Sequence, residues 1–152
     1  MSEEQTILEP IAVIPEHCTE RLCEPSFLLT EAESELILLN PHQYFVEWIQ
    51  VDGCLINDGS KRCDYLLQIA ATKAAYLVEL KGSDVDKAIE QLNLSHTRLS
   101  DHFHKNKFEN KFWIISHSPS PRSTSTTADI TLELRKRKIK ILLGISPYEL
   151  TL

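Results

Sequence analysis

The sequence predicts a mixed α/β fold in which a central β-sheet is flanked by helices. Three observations carry this. Three strand-like segments follow one another at YFVEWIQVDGCLI (44–56), CDYLLQIAA (63–71) and AAYLVELK (74–81), with turn residues between the first two. Directly after Gly82 the apolar period changes from two to about 3.6, with Val85, Ala88, Ile89, Leu92, Leu99 and Phe103 falling near one helical face. A further strand-like run, KFWIISHS, follows that helix.

Taken in order, residues 1–25 carry three prolines and little periodicity and read as a loosely packed lead-in. Thr30 with Glu33 three residues on has the form of a capping box. It predicts a helix through EAESELILL that stops near Asn40, because Pro41 disfavours the helical conformation of the residue before it. NDGS at 57–60 is a turn between the first two strands. The turn near Ala71–Thr72–Lys73 has no Gly, Asn or Pro to mark it. Ser83 with Asp86 starts the second helix, and residues 104–111 form a polar, basic connector. PSPRSTSTT reads as a loop, Asp129 to Lys138 as a short helix or continued strand, and IKILLGIS as the last strand.

At 152 residues the chain is long enough for one domain, 1–152, that buries roughly 70% of its unfolded surface. No apolar run approaches the roughly 18 residues of a membrane span, and the acidic start MSEEQTILEP lacks the positive charge of a secretory signal. These features predict a cytoplasmic protein with no membrane partner, whose Cys18, Cys23, Cys54 and Cys63 are mostly reduced. The net charge of −6 does not suggest a nucleic-acid binder, but its distribution is uneven. Residues 1–104 hold 7 Lys/Arg against 18 Asp/Glu, whereas residues 105–140 hold 9 against 3. An acidic metal site beside a basic rim fits this asymmetry, and so does a solvated basic surface.

On the third strand, alternation places Leu77, Glu79 and Lys81 on one face. Opposite charges at i and i+2 near the end of an apolar strand are costly to bury unless they pair or bind something. With a turn centred near residue 72, antiparallel partners sum to about 143–145, which sets Asp64 opposite Glu79 to Lys81. Two facing carboxylates suit a hard divalent cation such as Mg²⁺, or Mn²⁺ in its place. An ion held by Asp64 and Glu79 would polarise a phosphate and acidify water, while Lys81 positions or deprotonates that water and offsets developing charge. The plainer alternative is a surface ion pair between Glu79 and Lys81 with an unrelated exposed Asp64.

The segment CDYLLQIAATKAAYLVELKG, followed by a helix, resembles the PD-(D/E)XK nuclease superfamily, whose members share the restriction-endonuclease-like fold. Asp64 matches the acid on one strand and Glu79-Leu80-Lys81 the acid-x-Lys triplet on the next. The resemblance spans about residues 30–118 and implies a core of three meandering strands, a helix and a strand. It also implies Mg²⁺-dependent cleavage of nucleic acid, DNA rather than RNA. The proline that names the motif is replaced by Cys63. Many members place a further acid on the first helix, for which Glu31, Glu33 and Glu35 are available and Glu35 is preferred. Several place a Gln on the helix after the triplet, where Gln91 stands. The alternative use of such a fold is a non-cleaving nucleic-acid- or protein-binding module. Cutting both strands of a duplex with one site per chain would be simplest for a homodimer.

Lys105, Lys107 and Lys111 in the connector, and Arg135, Lys136, Arg137, Lys138 and Lys140 near the last strand, could contact phosphates if they border the sheet end that holds Asp64. Cys54 and Cys63 are symmetric about the 58–59 turn and so face each other in a hairpin, as small core residues or as a disulfide. A four-thiolate zinc site with Cys18 and Cys23 is disfavoured by the spacing. His96, His102, His104 and His117 read as helix-end or surface residues rather than metal ligands. Phe45, Trp48, Phe112 and Trp113 read as core.

Overall fold

The computed structural model describes residues 10–11, 13–31, 33–80, 84–116, 132 and 134–152. It is mixed α/β and mostly strand, built in three layers. One long helix covers one face of a six-stranded sheet, and a three-stranded sheet covers the other. The prediction of one sheet between helices is therefore corrected: strands, not a second helix, close the far face.

The large sheet starts with β1 (Thr19–Leu22) at its edge, paired antiparallel with β4 (Val46–Gln50). β4 pairs with β5 (Tyr65–Ile69), and β5 with β6 (Ala74–Glu79), both antiparallel. The chain then crosses through α1 (Val85–Asn106) to β7 (Glu109–Ser116), which lies parallel to β6. β8 (Lys140–Ile145) adds a further parallel strand at the other edge. The three-strand meander, helix and parallel strand thus occur in the predicted order. Lys73, in the left-handed conformation at φ 56°, makes the unmarked turn between β5 and β6.

β4 is shorter than the predicted 44–56 strand. Val51 and Ile56 both turn inward, and Gly53 at φ 82° lets the chain bend back, so 51–56 fold into turns rather than extend. The lead-in is also more ordered than expected: a 3₁₀ turn at Glu16–Cys18 buries Cys18 and feeds β1.

The predicted helix at 30–40 is a β-hairpin. β2 (Ser26–Glu31) and β3 (Ser34–Leu39) pair with Thr30 opposite Glu35 and Glu31 opposite Ser34. The physical reason is a period of two: Leu36 and Leu38 are fully buried, while Glu35 between Ser34 and Leu36 is exposed. β9 (Tyr148–Thr151) follows the strand expected to be last and lies parallel to β3. Gly144 allows this return, since a Cβ there would come within 2.5 Å of the Tyr148 ring.

Two apolar clusters glue the layers. Leu66, Leu77, Phe112 and Ile114 meet Ile89, Leu92, Leu99 and Phe103 of α1. All six predicted face residues of the helix are buried. On the other side Leu67, Val78, Leu80 and Ile115 meet Leu29, Leu36 and Leu38 of the small sheet. Each fully buried Leu or Phe contributes about 1.5–3 kcal/mol. The helix is capped by Asp84, whose carboxylate accepts from the Lys87 N–H at 3.0 Å, one residue after the predicted Ser83, which lies outside the described residues. Its far end stops at Lys107 in a left-handed conformation, so the helix uses part of the expected connector. Leu132 and residues 134–136 are helical, and the PSPRSTSTT segment lies outside the described residues. Among the described residues no helix is long and apolar enough to cross a membrane.

Candidate functional site: a buried acid pair

The β5–β6 register runs from Ile69–Ala74 to Tyr65–Val78 and ends there. Asp64, just before β5, sits at a bend: its N–H goes to the Val78 carbonyl, and Cys63 and Leu66 both join the cluster under α1, so strict alternation is not kept through 63–66. Glu79 shares the face of Ala75 and Leu77, which α1 covers, and Asp64 bonds to Val78 and Leu80 on either side of it, so the two acids stand near each other at the end of β6 from which α1 departs. Both are 1% exposed, in contrast to the exposed Asp64 of the plainer reading.

Asp64 is fixed by its own backbone and side chain. Its N–H donates to the Val78 carbonyl at 3.1 Å, and its carbonyl accepts from the N–H groups of Val51 and Asp52 at 3.0 and 3.3 Å. One step further along the ladder the side chain replaces the backbone, and Oδ2 accepts from the Leu80 N–H at 2.8 Å in a buried bond. The acid thus completes the pairing of β6 where β5 ends. Glu79 stands opposite Ile114 of β7.

Cys63 and Ser95 form the neighbouring wall, and sequence reasoning did not find it. The Ser95 hydroxyl, fully buried on α1, accepts from the Cys63 N–H at 2.9 Å. Burial pushes the Cys63 thiol well above its usual range, and the nearby Glu79 and Asp64 carboxylates add to the shift. Two buried carboxylates near each other repel, and more strongly than in water because their surroundings are less polarisable. A proton or a positive charge placed there lowers the energy. The donor set is two hard carboxylates, which is the type that suits Mg²⁺ or Mn²⁺.

The other predicted site residues are distributed unevenly. Lys81 lies outside the described residues. Gln91 is half-buried on α1, one turn before Ser95 and on the same side of the helix. Glu35 is not beside the pair. It is exposed on β3 of the small sheet, where its N–H donates to the Ser146 hydroxyl. Glu33 is exposed at the hairpin turn, and Glu31 accepts from the Tyr65 hydroxyl at 3.4 Å on the small-sheet side. Burial, with Glu31 and then Asp64 nearby, pushes Tyr65 up to about 12. The expected helical acid fails because its helix is a hairpin.

The basic residues do not border the acid pair. Lys105 and Lys107 are exposed at the far end of α1. Lys111 pairs with Tyr76, three rows from Glu79, and its ammonium lies 5.8 Å from the Tyr76 ring centroid on the small-sheet side. Arg135, Lys136, Arg137 and Lys138 precede β8, whose first residue Lys140 pairs with Lys111. They stand at the start of the parallel strands, the end opposite Glu79.

Cys54 does not face Cys63. It is joined to Cys18 in a disulfide, because the turns of 51–56 carry it to the 3₁₀ turn, while Cys63 is a buried free thiol and Cys23 an exposed one. This corrects the expectation of reduced cysteines and leaves no four-thiolate set. Among the described residues, the one cluster of three metal-binding side chains is His17, Cys18 and Cys54, with ligand atoms within 4.8 Å of one another, and its two sulfurs are already bonded. His96 stacks on Phe103, and His102 Nε2 lies 2.6 Å from the Oε1 of buried Gln68. Both are half-buried in packing rather than at the expected surface, whereas His104 is exposed near the helix end and His117 lies outside the described residues. No protein family, curated protein or solved structure matches this chain.

Proposed function

We propose that the protein is a metal-dependent nuclease of the PD-(D/E)XK type that hydrolyses phosphodiester bonds, DNA in preference to RNA. The observation that carries this reading is that two buried acids, Asp64 and Glu79, stand at one end of neighbouring strands, with Asp64 bonded to Val78 and Leu80 on either side of Glu79. It is supported by the order of the β4–β5–β6 meander, α1 and parallel β7, which is the order of the restriction-endonuclease-like core without its first helix.

In this reading Asp64 and Glu79 hold Mg²⁺ or Mn²⁺, and the ion supplies acidification of water and compensation of phosphate charge. The Leu80 N–H bond fixes one oxygen of the Asp64 carboxylate. Lys81, two residues after Glu79, positions the attacking water and offsets charge on the phosphate in the transition state. Ser95 and Gln91, on successive turns of α1, wall the pair from the helix side. The test is cleavage of supercoiled plasmid with Mg²⁺ or Mn²⁺. Asp64→Asn, Glu79→Ala and Lys81→Ala should each lower the rate by a hundredfold or more while the circular dichroism spectrum is kept. Equal cutting by the variants and the parent would overturn the assignment.

A second reading is favoured by the burial of both acids at 1% exposure. There the pair is a structural remnant, and the fold serves as a nucleic-acid- or protein-binding module. Calorimetric titration separates the two: binding of DNA without any uptake of a divalent ion supports the module. Acting on both strands of a duplex with one site per chain favours a homodimer, which sedimentation would detect.

A further inference from the structure

We infer that a groove at the opposite end of α1 from the acid pair binds a single strand of nucleic acid. The inference deepens the nuclease reading and rests on nucleic acid being the partner. The groove encloses about 1070 Å³ between the second half of α1 and residues 134–141. Arg135, Arg137, Lys138 and Lys140 line it against one acid, Glu109, which leaves a local charge of +3 (four cations less one anion) on a chain whose net charge is −6.

This is a built surface rather than a solvated charge run. The basic segment is pinned by buried Leu134 and Ile139 on either side. Three backbone bonds close it into a tight turn: Arg137 N–H to Leu134, Lys138 N–H to Arg135, and Ile139 N–H to Leu134. Arg137 is tied to Asn93 of α1 at 2.7 Å. Among the described residues Arg135, Lys138 and Lys140 take part in no salt bridge, so their charge is not spent internally.

The groove is also partly apolar. Half-buried Phe108 and Ile141 face it beside His96. Two buried polar atoms in its wall, His96 Nδ1 and Asn110 Oδ1, have no hydrogen-bond partner among the described residues. Cations beside a half-buried aromatic ring form the chemistry that holds an unpaired nucleotide: phosphate on the rim, base on the ring. Paired bases have their faces stacked and cannot reach Phe108.

Register gives the separation. Glu109 and Lys140 lie in the rows of Ala74 and Tyr76, three to five residues from Glu79 along β6, or about 10–17 Å. The groove therefore holds a strand at a distance from the acids rather than at them.

The test is fluorescence anisotropy with a labelled oligodeoxynucleotide in EDTA, where nothing is cut. The triple variant Arg135→Ala, Lys138→Ala, Lys140→Ala should bind at least tenfold more weakly. Its slope of log affinity against log salt should fall by about 2, at roughly 0.7 per phosphate contact. Phe108→Leu should weaken oligonucleotide binding at least fivefold while leaving binding of inorganic polyphosphate unchanged. A duplex of the same sequence should bind less tightly than the single strand. Unchanged affinity of the triple variant would overturn the site. Equal loss of polyphosphate and oligonucleotide in Phe108→Leu, or equal affinity for duplex and single strand, would overturn the single-strand assignment. Because the readout is binding without metal, its failure leaves the cleavage test of Glu79 standing, and failure of cleavage leaves this test standing.

Discussion

Lowering the pH from about 8 to about 5 should destabilise the fold through His96. Its ring stacks on Phe103 at 5.6 Å and meets Phe112 edge-on at 5.8 Å, so it carries its neutral form into an apolar wall. Burial, aided by the charge of Arg137, lowers its pKa from 6.5 to about 4. The folded state therefore binds fewer protons than the unfolded chain wherever the pH lies between these values. The stabilising contribution is complete above about pH 6.5 and is lost as the pH falls through 4. The gap between the two values corresponds to about 3 kcal/mol in full, of which about 2 kcal/mol is lost by pH 5. His102, whose pKa burial also lowers, acts in the same direction, so the variant His96→Phe is the control. Urea denaturation at several pH values should show a shallower acid slope for His96→Phe than for the parent. The His96 imidazole resonance followed by NMR should titrate well below pH 6. A resonance that titrates at 6 or above, or an unchanged slope in the variant, would refute the reasoning. Phosphate-bearing ligands in the adjacent groove should raise this pKa, because an anion favours the charged ring.

Three further outcomes follow from the geometry. Asp64→Ala leaves the buried Leu80 N–H without its acceptor and should lose about 1–3 kcal/mol in denaturant melts, whereas Asp64→Asn, which keeps a carbonyl oxygen, should lose less. Thiol titration of the folded protein at mildly alkaline pH should modify Cys23 alone, with Cys63 reacting only after unfolding, because it is buried and its thiolate is disfavoured. Reducing Cys18–Cys54, which are 36 residues apart, should lower stability by about 4 kcal/mol on the loop-entropy estimate, measured by melts with and without reductant.

The parts of this fold that were legible in the sequence are those whose partners are close in the chain. The β5–β6 pairing needed only two apolar runs and the turn between them, so the register from Ile69–Ala74 to Tyr65–Val78 was legible, whereas the bend at Asp64, whose N–H goes to Val78, was not. The α1 face was legible because six apolar residues keep one period. The β2–β3 hairpin was misread because LLTEAESELILL satisfies two patterns at once. Thr30 and Glu33 imitate a helix cap, whereas Glu31, Glu33 and Glu35 alternate as strand residues do. Only the second sheet, contributed from elsewhere, decides between them. β9 escaped for the same reason, since its partner β3 lies more than 100 residues away. The Ser95 bond to Cys63 left no sequence signal, because a serine inside a helix is usually exposed or bonded to its own turn. The basic run was visible as charge, but its position at the far end of the parallel strands depends on the β7–β8 register, which composition does not carry.

The parallel pairing of β3 with β9 ties a segment synthesised early to one synthesised more than a hundred residues later. A ribosome releasing this chain must emit residues 148–151 before the small sheet can close over Leu67, Val78 and Trp113. Until then one apolar side of the large sheet is only partly covered, and the nascent chain presents a surface that chaperones recognise. Such distant pairing is also slow to find. A stop codon placed shortly before Tyr148 should therefore yield insoluble product rather than a trimmed but working protein.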